Sequence, residues 1–412
     1  MAGHVQDRWY KTETGPDGKP RRVKTDRYGT GMRYRARYVG PDGTEKSQSF
    51  PDRKKREADA WLVKIAADME SGRYVDPRSG RVTFRQYAEQ WMAAQTTDKK
   101  TQANIASQMR RHVIPYLGPR SMAAFTPTHI REWLTELEKV LPASSYRRII
   151  FGNVSGIFAA AMDDGLRTSN PCRAKSVKAP SPAPARVKPW TPERTFAMRA
   201  ALPERYRAMI DVGGGCGLRQ GEIFGLPVDE IALDAGWLHV GVQVKMVPGV
   251  GQVFAPPKRG KERDVPLSDS VAAALKLHMA VFPPVDVTLP WERAGGALIT
   301  KRLLFTRSCG DALWRSDFNG YVWKPALAAA GVIPSREKGK RYAAAREHGM
   351  HALRHFYASV LLDAGENVKA LSQYLGHSDP GLTLRVYAHL MPSSEGRARS
   401  AMDRLYRKVA GS

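Results

Sequence analysis

Between His351 and Tyr387 the chain collects residue types able to act together on a phosphodiester. In HALRHFYASVLLDAGENVKALSQYLGHSDPGLTLRVY, His351 and Arg354 stand at i and i+3, so a helix would carry both on one face. His377 follows a Leu-Gly break and begins HSDPG, a loop that opens a further helix. Tyr387 comes ten positions later, in a short basic, β-branched run. An arginine forks phosphate oxygens, a histidine donates or moves a proton, and a tyrosine hydroxyl is a nucleophile. Singly, each residue has an ordinary explanation. A tyrosine at a helix end commonly packs. His351 and His355, at i and i+4, would suit a metal, but the glutamate of H-E-x-x-H is absent and the sequence offers no third ligand.

The charge balance narrows the partners. There are 65 Lys+Arg against 40 Asp+Glu in 412 residues, a net charge of +25. That bias favours a polyanion, nucleic acid first and an acidic membrane second. No run of about 18 apolar residues exists, so no transmembrane helix is expected, and MAGHVQDRWYKTE lacks the apolar core of a signal peptide. Three widely spaced cysteines, Cys172, Cys216 and Cys309, imply a reducing compartment with no disulfide framework and no zinc site. A cytoplasmic, nucleoid-associated location is the simplest expectation.

The elements that must position the chemistry fall into three units of a mainly α chain with small β-sheets, an α+β organisation. Residues 1–80 are basic. RYRARYVG (33–40) alternates as a strand, turns at Pro41-Asp42-Gly43 and returns over Thr44–Phe50. Gly15-Pro16-Asp17-Gly18 suggests another hairpin, and 51–70 reads as a helix capped by Asp52. Arg33, Arg35 and Arg37 would share one face of this small sheet, suited to a DNA groove. Residues 81–172 read as four helical stretches, with Arg110, Arg111, Arg147 and Arg148 available to backbone phosphates. Residues 173–190, with four prolines, five Lys/Arg and no acid, read as a basic linker. Residues 191–412 form the third unit. It opens with a helix capped by Thr191 and Pro192, then strands at 237–246 and 251–257, a turn and third strand over 256–267, helices, a Pro-rich loop near 283–290, a short strand at 303–305, and a final helix at 395–409. The run Gly213–Gly215 lacks the Lys-Ser/Thr of a P-loop and the Rossmann spacing, which argues against a nucleotide cradle.

H-x-x-R, then L-G-H, then a tyrosine ten residues on resembles the C-terminal signature of the tyrosine recombinases, the phage-integrase family. G-L-R-Q-G-E (217–222) resembles the motif that carries this family's first catalytic arginine, which implies Arg219 for that role and Glu222 as its orienting partner. Lys258, ahead of Arg263-Asp264-Val265-Pro266-Leu267, matches the family's turn lysine, with Lys261 as the alternative. HVIPYLG…FTPTHIREWL is similar to the helical, SAM-like core-binding domain, and residues 1–80 look like the arm-binding domain of many integrases.

The resemblance implies a catalytic set of Arg219, Lys258, His351, Arg354, His377 and the nucleophile Tyr387. The arginines and His377 would hold the phosphate, and Tyr387 would form a 3′-phosphotyrosyl bond. Lys258 would protonate the leaving 5′ oxygen, and His351 would assist the tyrosine's proton transfer. Phosphodiester energy stays in the protein–DNA bond, so no cofactor or metal is expected. The implied function is a site-specific integrase of a phage or conjugative element, a homo-tetramer on double-stranded DNA, served by an excisionase and a host DNA-bending protein. A chromosome-dimer resolvase and a catalytically silent DNA-binding regulator are the alternatives.

Overall fold

The computed structural model describes residues 3–14, 16, 18–41, 43–71, 74, 82–181, 187–377 and 379–390, together with Arg399, Met402, Asp403 and Tyr406. The expected 395–409 helix therefore lies largely outside the described residues, as do Gly15, Asp17, Asp42 and positions 182–186. The chain divides into two compact units, Met1–Ala183 and Pro184–Ser412.

In the first unit, β1 (His4–Asp7), β4 (Tyr34–Val39) and β5 (Glu45–Phe50) make one antiparallel sheet, and β2 (Tyr10–Thr14) pairs with β3 (Pro20–Lys24). The alternation in β4 is strict. Tyr34, Ala36 and Tyr38 are buried beneath α1 (Lys55–Glu70), while Arg35 and Arg37 line the other face. Trp61 of α1 meets Tyr38 and Phe50 edge-on at 5.4 and 6.0 Å, a preferred aromatic geometry. Asp52 does not cap this helix. Its carboxylate takes Arg33 Nη1 and the Arg53 amide, both at 2.8 Å, and α1 starts after Lys54 without a side-chain cap.

A separate core builds the helices. Thr83 and Gln86 form a capping box at the start of α2 (Phe84–Ala93). Asp98 caps α3 (Lys99–Gln108), which runs through a π turn at Met109–Val113 into Ile114–Leu117. Thr126 and Pro127 start α4 (Pro127–Val140), and α5 (Ser144–Asp163) is the central helix, burying Ile150, Val154, Ile157 and Phe158. Val177, inside the proline-rich stretch, also packs on this core.

In the second unit, Thr191 caps α6 (Pro192–Ala201) through the Arg194 amide. Next come α7 (Glu204–Gly215), α8 (Gln220–Phe224), β6 (Ile231–Ala232), β7 (Trp237–Val240), β8 (Gln243–Val247), β9 (Gly251–Ala255) and β10 (Arg263–Pro266). The strand expected over 237–246 is two strands in different sheets: β7 lies between β10 and β6, and β8 pairs with β9. The break falls at Gly241, whose amide turns to the Glu230 carboxylate at 3.1 Å instead of a ladder partner.

After α9 (Asp269–Val281), the expected Pro-rich loop near 283–290 is instead β11 (Val285–Pro290), antiparallel to β12 (Leu298–Leu303). Alternation of Val285, Val287 and Leu289 outweighs the flanking prolines, and Val287 is buried. The partner strand thus ends at Leu303, where the sequence placed its start. The helical stretch α10, over 315–329, contributes Trp323, stacked on Trp190 at 6.2 Å.

Last come α11 (His351–Asp363), α12 (Val368–Tyr374) and α13 (Pro380–Tyr387). The glycines before Arg219 serve packing against α9 and α11. A Cβ at Gly213 would lie 2.7 Å from Leu353 Cδ1, one at Gly215 2.5 Å from Val271 Cγ2, and one at Gly217 2.5 Å from Tyr357 Cδ1. Among the described residues no helix is long and apolar enough to cross a membrane, and the three cysteines are free.

Candidate active site

Close approach of α7 to α11 brings residues from four separated motifs together. Gly217, in a left-handed turn at φ 66°, presents its carbonyl to Arg354 Nη1 at 2.8 Å. The chain then enters α8 with Arg219 as its N-cap residue. Three positions on, Glu222 accepts the Arg219 amide on Oε2 and Arg219 Nη1 on Oε1, both at 2.8 Å. Strand β10 adds Arg263, whose Nη1 and Nη2 fork the same carboxylate at 3.1 and 2.7 Å while Nε donates to the Tyr374 carbonyl at 2.7 Å. The Glu222 side chain is fully buried and that of Arg263 nearly so.

The end of α12 closes the cluster. The Leu375 carbonyl accepts Arg219 Nη2 at 3.2 Å and also Arg354 Nη2, so one backbone oxygen fixes both guanidiniums. Gly376, at φ 59°, turns the chain there, where a Cβ would press on Arg263 Cδ at 3.1 Å. His377 follows, its Nδ1 bonded to Thr383 Oγ1 at 2.8 Å. Asp379 caps α13 through the Gly381 amide, with Pro380 at the first helical position. Tyr387 ends that helix, 2% exposed, with its hydroxyl 2.8 Å from His355 Nδ1. His351 meets the His355 ring edge-on at 4.6 Å and makes no hydrogen bond to Tyr387 among the described residues.

Arg219, Arg263 and Arg354 face the single carboxylate of Glu222, so the cluster is built for an anion. Burial alone would raise the Glu222 pKa. The hydrogen bonds and charge of Arg263, with the charge of Arg219, outweigh that and hold it at about 2. Arg354 is lowered by burial and then by its two guanidinium neighbours, yet stays charged at neutral pH. His355 falls to about 4 through burial and then Arg354. His377 falls to about 4 through burial and then Arg354, Arg219 and Arg263. His351, at the start of α11, is also lowered, first by desolvation and then by its neighbours His355 and Arg354. All three are neutral at pH 7, so each has one N–H to donate and one bare ring nitrogen to accept. Burial lifts Tyr387 to about 12 against the pull of Arg354 and Arg219, so its phenol keeps its proton. Such a set can grip non-bridging phosphate oxygens and offer a neutral nucleophile. Among the described residues no three His, Cys, Asp or Glu side chains stand where they would hold a metal ion.

The structure thus gathers Arg219, His351, Arg354, His377 and Tyr387. Lys258 is exposed on the turn between β9 and β10 and has no hydrogen bond to the cluster among the described residues. Sequence reasoning missed His355 as the partner of Tyr387, although H-A-L-R-H displays it: it weighed His355 only as a metal ligand with His351 and set that aside. It used Arg263 only to place Lys258 ahead of the Arg263–Leu267 run, and nothing local in the sequence signals its fork on Glu222.

The candidate DNA-contact residues lie in the first unit. Arg33 pairs with Asp7 and Asp52, Arg35 Nε donates to Ser47 Oγ at 2.9 Å, and Arg37 pairs with Glu45 at 2.9 Å. Arg147 pairs with Glu138, and Arg148 Nη1 donates to the Pro180 carbonyl at 3.2 Å. Arg110 and Arg111 are exposed and form no ion pair among the described residues.

The Phage integrase family model matches residues 195–393, spanning the whole cluster, and the Phage integrase central domain model matches residues 84–176. The integrase of Mycobacterium phage D29 is 25% identical over 374 residues, covering 88% of this chain and 91% of that protein. Among solved structures, the Tn1549 transposon integrase in complex with a circular intermediate DNA aligns with a TM-score of 0.63 at 21% identity, over 79% of this chain and 99% of that one. A lambda integrase tetramer bound to a Holliday junction aligns at 0.53 and 18% identity, over 84% of this chain and 93% of that one. The fold and the sequence models agree on the class: the chain belongs to the phage integrase family and is a tyrosine site-specific recombinase.

Proposed function

We propose that this integrase cuts and rejoins DNA at attachment sites through a 3′-phosphotyrosyl bond on Tyr387, inserting and excising a mobile element. The observation that carries this reading is the Leu375 carbonyl shared by Arg219 and Arg354, which aligns two guanidiniums from distant motifs beside His377. A pentacoordinate phosphorane carries more negative charge than the diester, and fixed cations there favour the transition state over the ground state. In this scheme Arg219, Arg354 and His377 grip the phosphate and Tyr387 attacks phosphorus. Lys258, on its exposed turn, gives a proton to the departing 5′ oxygen, and His351 assists the transfer of the phenol proton from Tyr387 to water.

The wider assignment follows the same reading. Residues 1–80 serve arm-type sites, 81–172 the core site and 191–412 catalysis, joined through 173–190. The protein acts as a tetramer on paired double-stranded DNA sites, in the nucleoid, with an excisionase and a DNA-bending protein as partners.

The decisive test is covalent trapping on a nicked duplex carrying the element–chromosome junction beside the gene, with chelator present. Wild type is expected to leave a protein–DNA adduct and Tyr387→Phe none, with equal DNA binding. An adduct in the Phe variant removes Tyr387 from the role. Absence of adduct from wild type that is bound to the duplex favours a silent DNA-binding protein.

A further inference from the structure

We propose that His355 is the residue that orients the nucleophile: its Nδ1 accepts the Tyr387 O–H and so directs the lone pairs of the phenol oxygen away from its own ring. This rests on the recombinase reading above and adds a residue that its catalytic set leaves out.

The geometry is specific. His355 and Tyr387 lie on different helices, α11 and α13, yet their Nδ1 and Oη are 2.8 Å apart with ring centroids at 5.6 Å. Among the described residues no other hydrogen bond reaches the Tyr387 hydroxyl. A phenol with a single partner has its O–H direction set by that partner. An accepting nitrogen draws the hydrogen to itself and leaves the oxygen lone pairs free; a donating one would occupy a lone pair that attack requires. Burial and the Arg354 charge keep His355 neutral, so one ring nitrogen carries no hydrogen; in this assignment the accepting nitrogen is Nδ1, the one that meets the phenol.

Two contacts fix the imidazole. The His351 ring abuts its edge at 4.6 Å with planes at 82°. Its backbone lies next to Arg354, which is tied to Gly217 and Leu375. The same helix turn thus carries a phosphate-gripping guanidinium and the group that aims the nucleophile, so the two are set by one backbone. A rigid pairing of this kind supplies orientation rather than charge.

The test compares wild type, His355→Ala and His355→Asn on the nicked junction duplex under single turnover. Asn is the conservative variant because its amide can occupy the Nδ1 position and accept the phenol hydrogen without titrating. His355→Ala is expected to slow adduct formation by about 100-fold with DNA affinity retained, the loss that misplacing a reacting group by about 1 Å can bring. Asn is expected to recover most of that loss. In protein labelled with [13Cζ]tyrosine, the Tyr387 resonance, assigned through Tyr387→Phe, should move in the Ala variant and return towards its wild-type position in the Asn variant.

Wild-type rates in a folded Ala variant overturn the proposal, and so does an Asn variant as slow as Ala. Should Ala fail to fold, the Asn rate and the wild-type resonance still decide. Failure of wild type itself to form an adduct on DNA that it binds overturns the recombinase reading, and this assignment with it.

Discussion

Glu222 is the residue on which the anion site depends most, although it has no contact with any proposed reacting atom. It is the one carboxylate among three guanidiniums, sealed from water, and it binds Arg219 through both backbone and side chain. Removing one member of a buried charged network leaves the others unpaired, which costs about 3–5 kcal/mol. Glu222→Ala should therefore lower the unfolding free energy of the second unit by that order in urea titrations, and abolish adduct formation even where folded protein persists. Its pH signature has a definite sign. The folded pKa, about 2, lies below the ordinary value of 4.5. Its contribution is therefore complete above pH 4.5 and disappears as pH falls towards 2. Glu222→Gln, which cannot titrate, should flatten the acid limb of a stability-versus-pH curve over that window. An unchanged limb would show that other carboxylates govern acid unfolding.

At the scale of elements, the turn before α8 aims the site. Gly217 occupies the left-handed region, accepts Arg354 Nη1 on its carbonyl and lies against Tyr357. Gly217→Ala combines a disfavoured backbone with a 2.5 Å clash, and strain of this kind amounts to about 1–3 kcal/mol. Because the turn holds both arginines, the adduct rate should fall more than stability does; the comparison is single-turnover trapping against thermal unfolding of the same variant. Equal losses would reduce Gly217 to a packing residue.

This turn also marks how far sequence reasoning reaches. Local motifs and the resemblance they carry marked Arg219, Arg354, His377 and Tyr387 as candidates, and helical periodicity found the helices of 84–163, because both signals are local, whereas α7 and α12 were not read from the sequence. The strand break at Gly241 and the β11 pairing were hidden, since a ladder partner is chosen by the whole sheet. His355 was legible as a residue but not as a partner, because only the packing of α13 on α11 supplies Tyr387.

For the whole molecule, the net charge of +25 overstates what is ready for DNA. Arg33, Arg37 and Arg147 are already paired with carboxylates, so a phosphate must displace an internal partner before it gains one. Such an exchange neutralises a phosphate but exposes an acid. Arg110 and Arg111 surrender nothing. Each phosphate contact releases counterions, and the slope of log affinity against log salt changes by about 0.9 per contact. Arg110→Ala and Arg111→Ala should each reduce the slope by about that amount when fluorescence anisotropy follows binding to a core-site duplex across a salt series. Arg33→Ala should alter the slope much less and chiefly lower the melting temperature, because Asp7 and Asp52 lose the cation that ties β1 and β4 to the loop before α1. Equal slope changes in all three variants would mean that the internal ion pairs open freely on DNA, and that the sheet arginines bind phosphate as readily as the helical ones.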